Sequence, residues 1–252
     1  ALLARRMGVS HVKFLYINWI SMYFFHFYRK THGQKARLAL VSLFVLALSA
    51  GEAFAKPLTV DNIVTRLQER YNTIKCIEAD FEQETRLTAL NQRRLAEGKA
   101  YFKKPGRMRW DYLRPDKQEI VTDGKTLWIY IAAEKRTYRC DAGAYLQSQL
   151  TMDFFLGRGD FKKDFIIVMA PESKKARGEF YILTLLPRYT HPQVSEIKLW
   201  IKKDTFLIDS ILSKDHFSNT TLLHLKGQRI NGPLDDHIFA FSPPKGTEVI
   251  DK

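Results

Sequence analysis

The sequence predicts a mainly β protein with helices (α+β), in which a partly closed antiparallel sheet is covered by helices on one face. Three observations support this: a run of short strands from Glu97 to Tyr130, two amphipathic helical segments, and two strands that are apolar on both faces. A strand that is buried on both faces needs a cover on each side. Helices on one face and partial closure of the sheet would supply that cover.

The segment from Glu97 to Tyr130 is predicted to form a β-meander. Between Arg107 and Leu113, apolar and polar residues alternate strictly, which is the period of a strand with one buried face. The apolar positions are Met108, Trp110 and Tyr112. Pro105-Gly106 and Arg114-Pro115-Asp116 indicate turns on either side of this strand. Asp123-Gly124 indicates a type I′ hairpin turn, which needs a positive φ at both central residues.

Two segments have the period of an amphipathic helix. The first begins at Thr59-Val60-Asp61, where Thr59 or Asp61 can cap the helix. Its apolar side consists of Ile63, Val64, Leu67 and Tyr71. The second runs from Tyr145 to Leu156 and ends at Gly157 and Gly159, which stop helices. Its apolar side consists of Leu146, Leu150, Phe154 and Phe155.

Further strands are predicted before and after the second helix. Cys76 to Leu87 is expected to be a strand, and a polar connection from Thr88 to Leu95 joins it to the meander. Phe165–Met169 and Glu179–Leu186 are the strands that are apolar on both faces. The last predicted strands are Glu196–Lys202, Leu207–Ser213 and Thr220–Arg229. There are no internal repeats or low-complexity linkers, so residues 56–252 are expected to form a single domain.

Residues 1–55 are interpreted as a signal peptide with an over-extended N-terminus. Basic residues precede an apolar run from Leu38 to Leu48, which is too short for a bilayer span of about 20 residues. Ala53-Phe54-Ala55 fits a signal-peptidase site, so cleavage is expected after Ala55, with a retained membrane anchor as the alternative. Because another apolar run from Val12 to Tyr28 comes first, Met22 is the predicted translation start. Lys56 follows the cleavage site where a lipoprotein would have a cysteine, so no lipid anchor is expected.

The charge of the chain indicates a basic protein. The 252 residues carry 40 Lys and Arg against 27 Asp and Glu. Seven of those basic residues and one Glu lie in residues 1–55, so the net charge of residues 56–252 is +7. Modest basicity suits a surface that meets anionic membranes or acidic partners. Nucleic acid is not an expected partner, because the charges are spread along strand faces and no RNP, KH or helix-turn-helix pattern is present.

The sequence contains no motif for catalysis, metal binding or cofactor binding. Gly-x-Ser-x-Gly, His-Glu-x-x-His, a phosphate-binding glycine loop and Cys-x-x-Cys are all missing. His191, His216, His224 and His237 lack metal-ligand spacing, and Glu78, Asp80, Glu82 and Glu84 alternate as on a solvated strand face. We therefore expect a binding protein and not an enzyme, with no cofactor. The sequence leaves open whether Cys76 and Cys140 pair in an oxidising compartment.

The order of motifs between Glu97 and Tyr130 resembles the LolA family, the periplasmic carriers of outer-membrane lipoproteins. That family has a basic-basic-Pro element, an Arg-Trp strand, a Pro-Asp turn and an Asp-Gly-Lys-Thr-Leu-Trp-x-Tyr hairpin. The corresponding residues here are Lys103-Lys104-Pro105, Arg109-Trp110, Pro115-Asp116 and Asp123 to Tyr130. Asp80-Phe81-Glu82-Gln83 and the Phe-x-Pro-Pro-x-Gly-x-x-Val segment from Phe241 to Val249 also match. The resemblance covers about Val60 to Asp251.

This resemblance implies an incomplete antiparallel β-barrel covered by an α-helical lid, the fold of lipoprotein-localisation factors. It implies a soluble, monomeric periplasmic chaperone that binds the acyl chains of lipoproteins in a hydrophobic cavity. The implied partners are an inner-membrane lipoprotein-releasing ABC transporter and a LolB-type acceptor in the outer membrane. The candidate lining residues are Phe102, Trp110, Trp128, Leu150, Phe154 and Phe155, with ordinary core packing as the alternative for each. Alternation alone does not say which sheet face lines the cavity.

Lys104 stands where the LolA family typically has an arginine that holds the lid shut by bonding to lid carbonyls. A lysine has three donors but no planar fork, so it can bond one or two carbonyls without the paired geometry. The resemblance therefore implies that Lys104 is a weaker lid latch. The alternative is a solvated lysine that only protects the edge of the sheet.

Two other functions stay open in the sequence. One is the carriage of another lipid, such as a glycolipid, in the same kind of cavity. The other is an acyl hydrolase on a lipid-binding β fold, which the missing nucleophile–base motif argues against.

Overall fold

Twelve strands form one continuous sheet in the part of the chain that the computed structural model describes, residues 58–143, 155, 160–174 and 178–252. The strands are β1 Cys76–Leu87, β2 Gln92–Lys103, β3 Arg107–Arg114, β4 Gln118–Thr122, β5 Thr126–Ile131, β6 Arg136–Asp141, β7 Phe165–Met169, β8 Phe180–Pro187, β9 Glu196–Lys202, β10 Ile208–Lys214, β11 Thr220–Ile230 and β12 Glu248–Asp251. The helices within these ranges are α1 Val60–Thr73 and α2 Phe161–Asp164. Short 3₁₀ turns occupy Thr88–Leu90, Ala132–Glu134, Pro171–Lys174 and Asp236–Phe239.

The sheet is open. Its strand order is β12-β6-β5-β4-β3-β2-β1-β11-β10-β9-β8-β7, so β12 and β7 form the two edges and are not paired with each other. Neighbouring strands are antiparallel except β12, which runs parallel to β6. The predicted mainly β class with an incomplete antiparallel barrel is confirmed.

α1 packs on one face of the sheet, which we call the inner face. Thr59 caps the helix by accepting a hydrogen bond from the amide of Asn62 at 3.2 Å, as the sequence predicts. The four predicted apolar residues are buried: Ile63, Val64, Leu67 and Tyr71. The hydroxyl of Tyr71 accepts a hydrogen bond from the amide of Ile208 at 3.1 Å, and burial raises the pKa of Tyr71. The helix is thus fixed to the sheet by apolar burial and by one satisfied buried polar group.

The hydrophobic core lies between α1 and the inner face. Its inner-facing strand residues include Ile77, Phe81, Phe102, Met108, Trp110, Leu127, Leu183, Leu199, Ile211 and Leu225. Gly98 allows the ring of Phe81 to lie close to β2, because a Cβ at position 98 would stand 2.9 Å from that ring and 1.9 Å from the carbonyl oxygen of Asp111. A larger residue at Gly98 would therefore push β2 away from its neighbours.

Two local predictions in the first half of the chain are wrong. The stretch from Thr88 to Leu95 is not all connection, because Gln92 already pairs with Leu87 and β2 begins there. The turn at Asp123-Gly124 is not type I′, because only Gly124 has a positive φ. Thr122 pairs with Leu127, which leaves four residues between the paired positions. The Asp123 carboxylate stabilises this longer turn by accepting the amides of Lys125 and Thr126 at 2.8 and 2.9 Å.

The expectation that two strands are buried on both faces is wrong for β7 and for the end of β8, although Ile182 and Leu183 in the middle of β8 are buried on opposite faces. β7 is an edge strand, and on the face opposite α1, the outer face, Ile166 and Val168 are exposed. Leu186 of β8 pairs with Ile166 and is exposed beside it. Within the described residues, the outer face has no cover at this edge. The apolar residues on both sides of β7 therefore do not indicate burial on both sides.

A C-terminal segment, residues 233–247, covers the outer face of β3 to β5, and we call it the C-terminal strap. Phe239 of the strap and Val121 of β4 are both buried. Arg109 of β3 donates to the carbonyl of Ile238 at 3.1 Å. The chain then continues into β12, which pairs with β6. This part of the sheet is thus covered on both faces, although no helix lies on its outer side.

The described residues from Leu58 onward belong to one compact unit. The predicted signal peptide, and almost all of the predicted helix from Tyr145 to Leu156, lie outside the described residues, which include Phe155 alone from that helix. None of the helices in the described ranges is long and apolar enough to cross a bilayer.

Candidate functional site

The strand register assigns each candidate residue to a face of the sheet. In antiparallel strands, directly paired residues point to the same face. Ile120 pairs with Trp110 on one side and with Ile129 on the other, so these three residues share a face. Trp110 and Phe102 belong to the core beneath α1, so this is the inner face.

Trp128 lies on the outer face, so the prediction that it lines the same surface as Phe102 and Trp110 is wrong. It pairs with Val121 and Arg139, and its ring lies 5.7 Å from that of Phe241 in the C-terminal strap. The Arg139 guanidinium stacks over Trp128 at 5.8 Å. Every residue from Leu127 to Ile131 is apolar or aromatic, so alternation gave no sign of its face.

Aromatic side chains form a continuous chain along the inner face. Phe155 stacks on Phe102 with ring centroids 4.8 Å apart and meets Tyr71 of α1 edge-on at 5.6 Å. Phe102 meets Trp110 at 5.6 Å, and Trp110 meets Phe81 at 4.8 Å. We call these five residues the aromatic cluster. Of the predicted lining residues, the structure brings together Phe102, Trp110 and Phe155, whereas Leu150 and Phe154 lie outside the described residues.

The apolar surface of the inner face continues beyond the buried core. On one side of the aromatic cluster it includes the half-buried Tyr112, Ile120 and Ile129. Towards the β7 edge of the sheet, the same inner face includes the half-buried Ile167, Met169 and Tyr181. The sequence reasoning did not single out these residues as lining residues. The signal that could have found them is strand alternation, once one inner-facing residue of each strand is known.

Lys104 links the β2–β3 turn to the end of α1. Its ammonium donates to the carbonyl oxygen of Tyr71, one of the last carbonyls of the helix, and its amide donates to the carbonyl of Lys75 at 2.9 Å. A cation at this end of a helix also interacts favourably with the helix dipole. Partial burial lowers the pKa of Lys104. The contact predicted for a latch, between Lys104 and a helix carbonyl, is therefore available in this fold.

One serine and one histidine come into contact, but on the other face of the sheet. The Ser210 hydroxyl lies 2.7 Å from Nδ1 of His224 and donates to Asp209 at 2.7 Å. Ser210 is buried and pairs with Trp200 on the outer face, so a substrate carbonyl has no approach to its oxygen. This pair gives no support to hydrolysis. No group of His, Cys, Asp and Glu within the described ranges has the arrangement of a metal site.

The two cysteines cannot reach each other in this fold. Cys76 pairs with Lys103 on the outer face, whereas Cys140 pairs with Leu127 on the inner face. Their strands, β1 and β6, are separated by β2 to β5, which at about 4.8 Å per strand places them roughly 24 Å apart. A disulfide needs Cα atoms within about 7 Å. Both thiols are free.

Comparison with known proteins gives the chain a family. The sequence profile described as "Outer membrane lipoprotein carrier protein LolA" matches residues 72–242. An outer-membrane lipoprotein carrier protein of Chromobacterium violaceum is 32% identical over 74% of this chain and 86% of its own length. One of Nitrosomonas europaea is 28% identical over 82% of this chain and 97% of its own length.

Among solved structures, a LolA superfamily protein from Nitrosomonas europaea is 14% identical to this chain, with a TM-score of 0.40. The match covers 71% of this chain and 97% of that protein. The profile match spans more than half of the 252 residues. With the relative from Chromobacterium violaceum, it shows that this chain belongs to the LolA family.

Proposed function

We propose that this protein carries lipoproteins through the periplasm, with their acyl chains held against the inner face of the sheet. An acyl chain leaves water with a gain of about 0.8 kcal/mol per methylene, so an apolar surface that excludes water is sufficient and no covalent step is needed. The description of the family as outer membrane lipoprotein carrier proteins supports this function.

The observation that carries the proposal is the difference between the two faces of the sheet. The inner face stays apolar past its buried core, where Ile120, Ile129 and Ile167 are half-buried. The outer face of the central strands instead carries ion pairs: Glu82–Lys226, Glu84–Arg93, Asp80–Lys99 and Glu78–Arg229. Acyl chains therefore have one apolar face on which to lie.

The aromatic cluster and α1 form the covered part of this face. Large, stiff rings such as those of Phe102, Trp110 and Phe155 offer a broad contact area to flexible acyl chains. The predicted helix that carries Leu150, Phe154 and Phe155 would complete the cover, so that displacement of this cover by acyl chains opens the site. In this proposal Lys104 holds α1 in the closed arrangement and so favours release of the cargo.

In this role the protein works in the periplasm and has two protein partners. The basic, apolar segment that ends at Ala55 directs the chain to the periplasm. An inner-membrane lipoprotein-releasing ABC transporter loads the protein, and a LolB-type acceptor of the outer membrane unloads it. Carriage needs no cofactor and no catalytic group.

The two neighbouring isoleucines of β7 provide a matched test. Ile167 faces inward and Ile166 faces outward, on the same strand and with the same side chain. Ile167→Glu would place a charge among acyl chains, so it should weaken binding of a triacylated lipoprotein by about ten-fold or more. Ile166→Glu should leave binding at the native level. The measurement is the amount of lipoprotein recovered in a soluble complex by gel filtration, with displacement of a fluorescent apolar probe as a second readout.

Thermal unfolding of both variants establishes that they remain folded. Equal lipoprotein binding by the native protein and folded Ile167→Glu would contradict the use of the inner face. Mass spectrometry of the protein isolated from cells identifies any bound lipid. If that lipid is not a lipoprotein, the proposed cargo is wrong, whereas the inner face remains the proposed binding surface.

A further inference from the structure

Three loops at one end of the sheet carry exposed apolar side chains on their tips. We define the three-loop tip as residues 86–95, 186–195 and 214–219. Leu90, Tyr189 and Phe217 stand on these loops with 62%, 82% and 81% of their surface exposed. None of the strongly exposed large apolar residues in the described part of the chain lies in the loops of the opposite end, residues 103–107, 122–126 and 202–207.

Hydrogen bonds join the three loops into one surface. The amide of Thr88 donates to the side chain of Asn219 at 2.9 Å, and the Thr88 hydroxyl donates to the carbonyl of Ser218 at 2.6 Å. Nε2 of His216 lies 2.7 Å from the carbonyl oxygen of His191. Ser195 donates to the carbonyl of Lys214 through its amide at 2.8 Å. The apolar tips therefore project from connected loops and not from independent parts of the molecule.

The same loops are strongly basic. They contain five Lys and Arg residues, Arg86, Arg93, Arg94, Arg188 and Lys214, against one acidic residue, Asp215. The Asp215 carboxylate is directed into its own loop, where it accepts the amides of Phe217 and Asn219 at 2.8 Å each. Arg86 and Arg93 pair with Glu84, but both side chains remain mostly exposed while Glu84 is largely covered. The surface that the tip presents to a partner is therefore positive.

We infer that the three-loop tip docks on the surface of an anionic phospholipid bilayer. Exposed aromatic and aliphatic side chains insert at the level of the headgroups, and basic side chains around them bind lipid phosphates. Leu90, Tyr189 and Phe217 lie on three different loops and are each more than half exposed, which suits insertion into a soft bilayer surface better than contact with a rigid protein partner. The tip residues are not part of the aromatic cluster, so docking and acyl binding use different parts of the molecule.

Docking makes a specific contribution to a carrier. Acyl chains enter and leave at membranes, so a protein that rests reversibly on the bilayer surface raises its own concentration where cargo is exchanged. Three apolar side chains give only weak membrane binding, because stable anchoring needs much more buried apolar area. The binding is also sensitive to salt, because salt screens the attraction between the basic residues and the lipid phosphates. The three-loop tip is therefore suited to reversible docking on the bilayer and not to stable anchoring of the protein there.

The test is flotation of the exported protein, isolated from the periplasmic fraction, with lipid vesicles. The native protein should bind vesicles that contain phosphatidylglycerol, lose this binding as salt is raised, and bind phosphatidylcholine vesicles at least about ten-fold less. The variant Leu90→Ser/Tyr189→Ser/Phe217→Ser should lose at least about ten-fold in vesicle partition. The matched control is Ile166→Ser/Val168→Ser, which removes exposed apolar side chains from β7 and should leave partition unchanged.

The charge of the tip is tested in the same way. Arg93→Gln/Arg94→Gln/Arg188→Gln should reduce binding to anionic vesicles about ten-fold or more, whereas Lys75→Gln/Lys125→Gln/Lys252→Gln, which removes three exposed cations at the opposite end of the sheet, should have less than about a third of that effect. Ile167→Glu should dock like the native protein, which separates docking from acyl binding. Absence of native binding to anionic vesicles, or equal losses in the tip variants and their controls, would overturn the inference. If the tip variants slow transfer to an isolated acceptor protein while the native protein ignores vesicles, the partner is a protein and the inference is wrong.

Discussion

At the residue scale, Lys104 shows how one side chain can connect a turn to a helix end. The sequence has a lysine where the resemblance to the LolA family implies an arginine, and the ammonium of this lysine donates to the carbonyl of Tyr71. The ammonium meets the end of α1 whose free carbonyls carry partial negative charge, so hydrogen bond and dipole act in the same direction. Because Lys104 is only partly buried, water weakens both effects.

Replacement of Lys104 tests its role as a latch. Lys104→Leu removes the hydrogen bond to the helix end and should destabilise the closed protein by about 1 kcal/mol. The variant should load lipoprotein normally but pass it more slowly to an acceptor. Lys104→Arg, which restores the fork geometry, should transfer at least as fast as the native protein. Single-turnover transfer from a preloaded complex is the measurement, and equal rates for native protein and Lys104→Leu would leave Lys104 with a role at the sheet edge alone.

At the scale of an element, the C-terminal strap depends on a small number of anchors. The Asp236 carboxylate forms ion pairs with the ammonium of Lys103 at 2.5 Å and with the guanidinium of Arg107 at 2.6 Å. Both cations stand at the strand ends around the β2–β3 turn. Lys103 also donates to the carbonyl of Leu234 at 2.8 Å. These bonds hold the strap so that Phe239 is buried against the outer face, where its burial stabilises β3 to β5 from the side opposite α1.

The anchor at Asp236 gives a prediction about pH. Hydrogen bonds from Lys103, and then from Arg107, lower the pKa of Asp236 from 3.8 to about 2. A carboxyl with a lowered pKa contributes stability above its ordinary pKa and loses it as pH falls through the folded value. The melting temperature of the native protein should therefore exceed that of Asp236→Asn at pH 6, and the difference should shrink between pH 4 and pH 2.

Asp116→Asn is the matched control for this prediction, because it removes an exposed carboxylate from the β3–β4 turn. Its melting temperature should follow that of the native protein across the same range. A difference between native protein and Asp236→Asn that stays constant from pH 6 to pH 2 would show that Asp236 does not act through its charge.

At the scale of the whole molecule, the width of the sheet separates groups that the sequence could not place. Cys76 and Cys140 lie on strands five positions apart and on opposite faces. The protein should therefore keep two reduced thiols even when it is folded in an oxidising compartment. Thiol titration after denaturation should give two free groups per chain, and a reductant should not change the melting temperature. A single intramolecular disulfide in the exported protein would contradict the strand order.

The sequence by itself determined the local elements and the family. Period-two alternation defined most strands, and α1 followed from its N-cap at Thr59 and its apolar spacing. The motifs from Glu97 to Tyr130 indicated the LolA family, which the comparisons show. These signals succeed because each depends on residues close together in the chain.

The tertiary structure alone decided which side of the sheet each residue occupies. Trp128 faces the C-terminal strap and not the aromatic cluster, although its strand is apolar at every position. Ile166 is exposed because β7 is an edge, and Leu90, Tyr189 and Phe217 lie at the same end of the sheet because three loops that are distant in the chain are joined there. Face, edge and neighbourhood depend on which strands pair across the sheet. Pairing is a long-range property, and local periodicity does not contain it.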